Sequence, residues 1–199
     1  MNHTLLESTI NVKYKVKEID TLDKLSIEHL CYCFNIHVEY VDEESKALVG
    51  DDFSVIYINK NHSQKNIRAD FFHEFSHVLL HCGDQRSSHE LFREQQELQS
   101  FWATLYASMP QHILDQYLPA EVGELSDLFE IPEELVCERI EQIKRKEIYY
   151  LNQKIAEKQT SYESKSYNPD QWTDETWRLL NKLKKQTKKE VINYIGLLR

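Results

Sequence analysis

Residues 64–83 read QKNIRADFFHEFSHVLLHCG, and within them the spacing of the apolar side chains changes character. From Gln64 onward Phe71, Phe75, Val78 and Leu79 fall at i, i+4, i+7 and i+8. That period predicts an amphipathic helix with one face toward a core. Gly83 suits the position after its C-cap, where a left-handed backbone favours glycine. Upstream the period is two: IHVEYV (36–41), KALVG (46–50) and FSVIYIN (53–59) alternate as half-buried strands do, with Gly50-Asp51-Asp52 as a hairpin turn. Before them, 21–34 predicts a helix with Leu22, Leu25, Leu30 and Cys33 inward and Thr21 as N-cap.

After the central helix, a second one is predicted over 88–108, with Leu91, Leu98, Phe101, Trp102, Leu105 and Tyr106 as its apolar side. A short helix near 111–118 precedes Pro119. Residues 121–144 then read as two helices joined at Glu130-Ile131, with Pro132 opening the second, a helix-turn-helix outline. SYESKSYNPDQ (161–171) has few core residues and reads as a linker. The basic remainder offers Trp172, Trp177, Leu180 and Leu183 as a docking face. The expectation is an α+β fold: a small sheet against helices over 1–118, a helical segment over 119–160, and a linker with a helical tail over 161–199.

Composition narrows the function classes. The 199 residues are 41% hydrophobic and 29% charged, enough apolar material for a core. No apolar run approaches the roughly 18 residues that span a bilayer, and the N-terminus lacks the apolar stretch of a cleaved leader. Four cysteines without framework density suit free thiols, so the expected location is cytoplasmic. The net charge of −9 is uneven: residues 1–143 carry 11 Lys and Arg against 26 Asp and Glu, whereas 144–199 carry 13 against 7. An acidic body repels phosphates. The helix-turn-helix outline holds Glu121, Glu124, Glu133, Glu134 and Glu138 against few cations, which argues against direct DNA binding.

The chemistry concentrates in His73-Glu74-Phe75-Ser76-His77. On a helix, HExxH sets two imidazoles one turn apart on one face, a geometry that suits one Zn²⁺ ion. The intervening Glu74 lies beside the open coordination position, placed to take a proton from the attacking water and pass it to a leaving amine. Catalytic zinc needs a third protein ligand. A histidine ten residues after His73 is absent, since position 83 is Gly, so a carboxylate from the next helix is expected. Glu90, Glu94 and Glu97 share one face of that helix; Glu97 lies deepest and is favoured, because packing can fix a ligand there. His81, one further turn along, is a candidate for oxyanion or outer-sphere support, as is the Tyr106 hydroxyl. Asp70 is a candidate for orienting an imidazole.

FFHEFSHVLLHCGDQ (71–85), followed by REQQELQSFWATLYASMP (93–110) with its terminal Met109-Pro110, resembles the ImmA/IrrE family of zinc metallopeptidases, in its prophage and mobile-element branch. The likeness extends over about 21–144. It implies an α+β fold, zinc held by His73, His77 and Glu97, Glu74 as general base, and site-specific cleavage of a phage-type repressor protein. Ser76 stands where many relatives have glycine. The alternative from another class is a non-catalytic anti-repressor acting by stoichiometric protein binding. Oligomeric state is not legible in the residues.

Overall fold

The computed structural model describes residues 4–50, 52–80, 90–163 and 172–187. The fold is α+β, a three-stranded sheet among helices. Strands β1 (Ile36–Val41), β2 (Lys46–Val49) and β3 (Ser54–Asn59) lie in the order β1-β3-β2. β2 and β3 form the antiparallel pair expected across Gly50, with Ala47 opposite Ile56. β1 runs parallel to β3, with Val38 opposite Ile56. The strand alternation sets the sheet's two faces. Ser54, Ile56 and Ile58 are buried on one, while Lys46 and Leu48 are exposed on the other.

The inner face of the sheet meets α3 (Gln64–Leu80), the helix that the period change predicts. Phe71, Phe75 and Leu79 are buried as expected, and Phe72 joins them, so the buried arc is wider than one stripe. Phe71 and Phe75 stack at 5.6 Å, and Phe34 meets Phe75 edge-on at 5.1 Å. Arg68 anchors the start of α3, donating to the carbonyl oxygens of Phe129 (2.9 Å) and Leu25 (3.0 Å).

Three expectations are corrected. The helix predicted over 21–34 is a 3₁₀ turn, Asp23–Leu25, followed by α2 (Ile27–Phe34). Its N-cap is Ser26, whose hydroxyl accepts from the His29 N–H, rather than Thr21. α2 ends on Asn35 in the left-handed region at φ 53°, a conformation that asparagine tolerates.

Second, residues 5–16, to which the sequence analysis assigns no element, form α1 (Leu5–Val16), capped by the Thr4 hydroxyl. Its buried face is Glu7, Ile10 and Tyr14, while Leu5 is 86% exposed. The charge on that face is matched from far along the chain. Arg139, fully buried, donates to Glu7 at 2.9 Å, to the Met109 carbonyl at 3.1 Å and to Gln111 and Gln142. Burial lowers the Arg139 pKa, and the Glu7 carboxylate opposes that shift.

Third, α4 (Glu90–Ser108) turns an unexpected face inward. Ser100, Ala103, Thr104 and Ala107 are buried with Leu105 and Tyr106, whereas Leu91 is 69% and Leu98 59% exposed.

The chain then forms α5 (Gln111–Leu114), α6 (Val122–Phe129), α7 (Glu133–Glu163) and α8 (Asp174–Thr187). The tight turn expected at Glu130-Ile131 is present, with Glu130 left-handed at φ 54°. α7 continues beyond the expected end near 144, into the start of the segment read as a linker. Two compact units divide the chain, 1–145 and 146–199. The first includes the α6–α7 turn region, whose Leu125, Phe129, Ile131, Val136 and Arg139 are buried. Among the described residues no helix is long and apolar enough to cross a membrane.

Candidate metal centre

α3 carries His73 and His77 one turn apart, their Nε2 atoms 3.4 Å from each other. From α4, Glu97 reaches both: Oε2 lies 3.3 Å from His73 Nε2 and Oε1 3.7 Å from His77 Nε2. Zinc bonds of about 2.0–2.1 Å in a tetrahedron put neighbouring ligand atoms ~3.3–3.4 Å apart. The three separations therefore fit one ion, and the donor set of two imidazoles and a carboxylate suits zinc. Among the described residues this is the one such cluster. Glu90 and Glu94, which the sequence leaves open as ligands, are exposed and outside it. His77 is buried, whereas the Glu97 side chain is 57% exposed, so the cluster opens toward solvent on the carboxylate side.

The close approach of α4 to α3 follows from side-chain size. Ser76 on α3 meets Ser100 on α4, both fully buried. The single Ser76 hydroxyl proton is shared between the His73 carbonyl at 2.6 Å and the Ser100 carbonyl at 3.2 Å. Thr104 and Ser108 continue the small stripe at i+4 and i+8, each hydroxyl donating to the carbonyl one turn back at 2.7 Å. Buried hydroxyls need such partners, and these have them. Ser100 Oγ lies 3.1 Å from His77 Nδ1, on the ring edge opposite the cluster.

Glu74, between the two histidines, is buried and its pKa is pushed up to about 7. Burial is the main cause, and the negative charges of Glu97 and Asp70 add to it. The backbone N–H of Ala47 donates to Glu74 and opposes the shift. The upward direction belongs to the metal-free site; a cation held by the neighbouring histidines would favour the charged carboxylate. Ala47 lies in β2, an edge strand of the sheet. A cavity of ≈ 1170 Å³ runs along that strand, lined by Lys46, Ala47, Leu48 and Val49 on one side and by His73, Glu74, His77 and Glu97 on the other.

The outer candidates fall in different places. Asp70 accepts from Ser45 at 2.7 Å and from His62 at 2.8 Å, tying the β1–β2 loop to α3. Tyr106 does not line the cavity; its hydroxyl accepts from Gln142 and from Thr4, and the Arg139 guanidinium lies over its ring at 5.0 Å. His81 lies outside the described residues. Sequence reading passed over Ser100 and the Ala47 backbone. The i, i+4, i+8 run of Ser100, Thr104 and Ser108 was the available signal for the first. A backbone donor leaves no trace in residue identity.

Residues 31–141 match the IrrE N-terminal-like domain of the M78 peptidases, more than half of the chain, and the chain belongs to this metallopeptidase family. The cluster lies inside the matched region, and α1 precedes it. Among individual proteins the chain is similar to the phage-like element PBSX protein XkdA of Bacillus subtilis (strain 168). Identity is 27% over 117 residues, which span 56% of this chain and 59% of that protein.

Proposed function

We propose that the protein is a zinc-dependent endopeptidase that acts in the cytoplasm on a protein substrate, a phage-type repressor, and so relieves repression. One observation carries the hydrolytic part: His73, His77 and Glu97 converge with ligand-atom separations of 3.3–3.7 Å beside a buried Glu74. A zinc ion held there supplies a Lewis acid for the scissile carbonyl and lowers the pKa of water to about 7. The protein's own residues do the rest. His77 and His73 hold the ion from one helix face, and Glu97 closes the third side. Glu74 takes a proton from the attacking water and returns it to the leaving amine.

The outer edge of β2 supports a peptide substrate. An outer strand offers unpaired N–H and C=O groups to an extended chain, and the cavity follows that edge to Glu74. Family membership supports proteolysis, and the likeness to a protein of a phage-like element supports a regulator of such an element as substrate. The acidic α6–α7 segment supports a protein partner over a nucleic acid.

The test combines metal analysis with time-resolved mass spectrometry of a candidate repressor. Glu74→Gln is expected to keep zinc and to generate no new termini; His77→Ala is expected to lose the metal. Undiminished cleavage by Glu74→Gln refutes its role as base. A tight stoichiometric complex with wild-type protein and no new termini replaces the enzyme with the anti-repressor alternative.

A further inference from the structure

We propose that Ser100 is a positioning residue for the metal centre, accepting the Nδ1 proton of His77 and thereby aiming Nε2 at the ion; this rests on the zinc reading above. A neutral imidazole that offers Nε2 as a ligand carries its proton on Nδ1, so the Nδ1 partner must accept. Ser100 Oγ stands 3.1 Å from that nitrogen. Ser100 is fully buried and His77 nearly so, and at such a depth a protein oxygen has to do what solvent does for a surface ring.

The neighbouring hydroxyls show that the contact is not a general habit of this helix. Thr104 and Ser108 occupy the same buried stripe, and both turn their hydroxyls back onto α4 carbonyls at 2.7 Å. Ser100 reaches across to α3 instead. Its carbonyl is engaged there too, accepting from Ser76 at 3.2 Å as well as from Thr104. One residue thus grips the HExxH helix by two atoms, once through the ligand ring and once through the serine beside it. Ser100 also follows Glu97 by three positions, and residues so spaced share a helix face. A single turn of α4 therefore delivers a ligand through Glu97 and orients another ligand through Ser100. Partners of this kind fix tautomer and ring orientation, and their loss weakens metal binding by about 10–100-fold.

The test compares Ser100→Ala with Thr104→Ala, which removes a buried hydroxyl from the same stripe without touching His77. Zinc affinity is read by competition with a chromophoric chelator. Alongside it, NMR of zinc-loaded protein with ¹⁵N-labelled histidine reads the His77 Nδ1 proton. Ser100→Ala is expected to bind zinc ~10–100-fold more weakly and to lose the exchange-protected Nδ1 proton, while Thr104→Ala keeps both. Equal loss in the two variants assigns the effect to packing and overturns the proposal. Unchanged affinity with the Nδ1 proton still protected in Ser100→Ala overturns it as well, and leaves the zinc reading standing. Failure of the wild-type protein to take up zinc overturns the zinc reading and this inference with it.

Discussion

α3 and α4 build one cluster by opposite rules. α3 buries large aromatic side chains, Phe71, Phe72 and Phe75, and its histidines emerge from that apolar packing. α4 buries the hydroxylated residues Ser100, Thr104 and Ser108, of which Ser100 touches α3, and exposes Leu91 and Leu98. The distance between packed helices is set by the side chains at their contact. Small ones on one side let Glu97 come within 3.3 Å of His73. A metal centre shared between two helices thus needs a bulky partner to fix it in the core and a slim partner to close it.

Substitutions at the centre sharpen this contrast most. Glu74→Gln on α3 is expected to lower kcat by about 10²–10⁴-fold with zinc retained, since only proton transfer is lost. Glu97→Ala on α4 is expected to remove the metal instead, visible as zinc lost on dialysis. Retention of stoichiometric zinc by Glu97→Ala would show that α4 is not part of the centre.

Next come changes to the packing itself. Phe75→Ala leaves a cavity and is expected to cost about 3–5 kcal/mol in denaturant unfolding. Thr104→Leu overfills the slim seam and is expected to cost about 1–3 kcal/mol. The two should differ at the metal. Thr104→Leu pushes α4 outward and weakens zinc binding beyond its stability cost, whereas zinc-binding losses in Phe75→Ala track unfolding. A Thr104→Leu protein with wild-type affinity would remove side-chain size as the reason for the close approach.

The pH dependence of the metal-free protein probes Glu74. Its pKa is raised by burial to about 7 from an ordinary value of 4.5. The native state therefore holds a proton that the unfolded chain has released, and stability falls as pH rises from about 4.5 through 7. The full loss is about 3–4 kcal/mol, from roughly 1.4 kcal/mol per pH unit between 4.5 and about 7. Thermal melts of the apo-protein at pH 5 and 7.5 capture most of it, and Glu74→Gln removes that part of the difference. A pH dependence identical in wild type and Glu74→Gln contradicts the buried setting of Glu74. The smallest effect is expected at Leu98→Gln, within about 0.5 kcal/mol of wild type, because the side chain is already 59% exposed.

α1 shows where legibility ended. Its apolar residues Leu5, Val12 and Val16 face solvent, while Glu7 is buried. The inward period of Leu6, Ile10 and Tyr14 is interrupted by Glu7 and blurred by these exposed apolar residues, and the group that makes burial of Glu7 tolerable is Arg139, far along the chain. Removing either partner of such a pair strands the other as a buried charge. The same limit applies to α4, whose inward face is small and hydroxylated rather than apolar.

Local order along the chain was enough for the three strands, the HExxH helix and the opposite charge of residues 1–143 and 144–199, because period, turn residues and side-chain charge are properties of neighbours in sequence. It also favoured Glu97 among three carboxylates. Bringing Glu97 to the two histidines, placing Ser100 behind His77 and setting the Ala47 amide on Glu74 depended on how closely two helices and a strand edge approach. Those distances follow from side-chain volumes and hydrogen-bond partners on separate elements, which only the packed chain brings together.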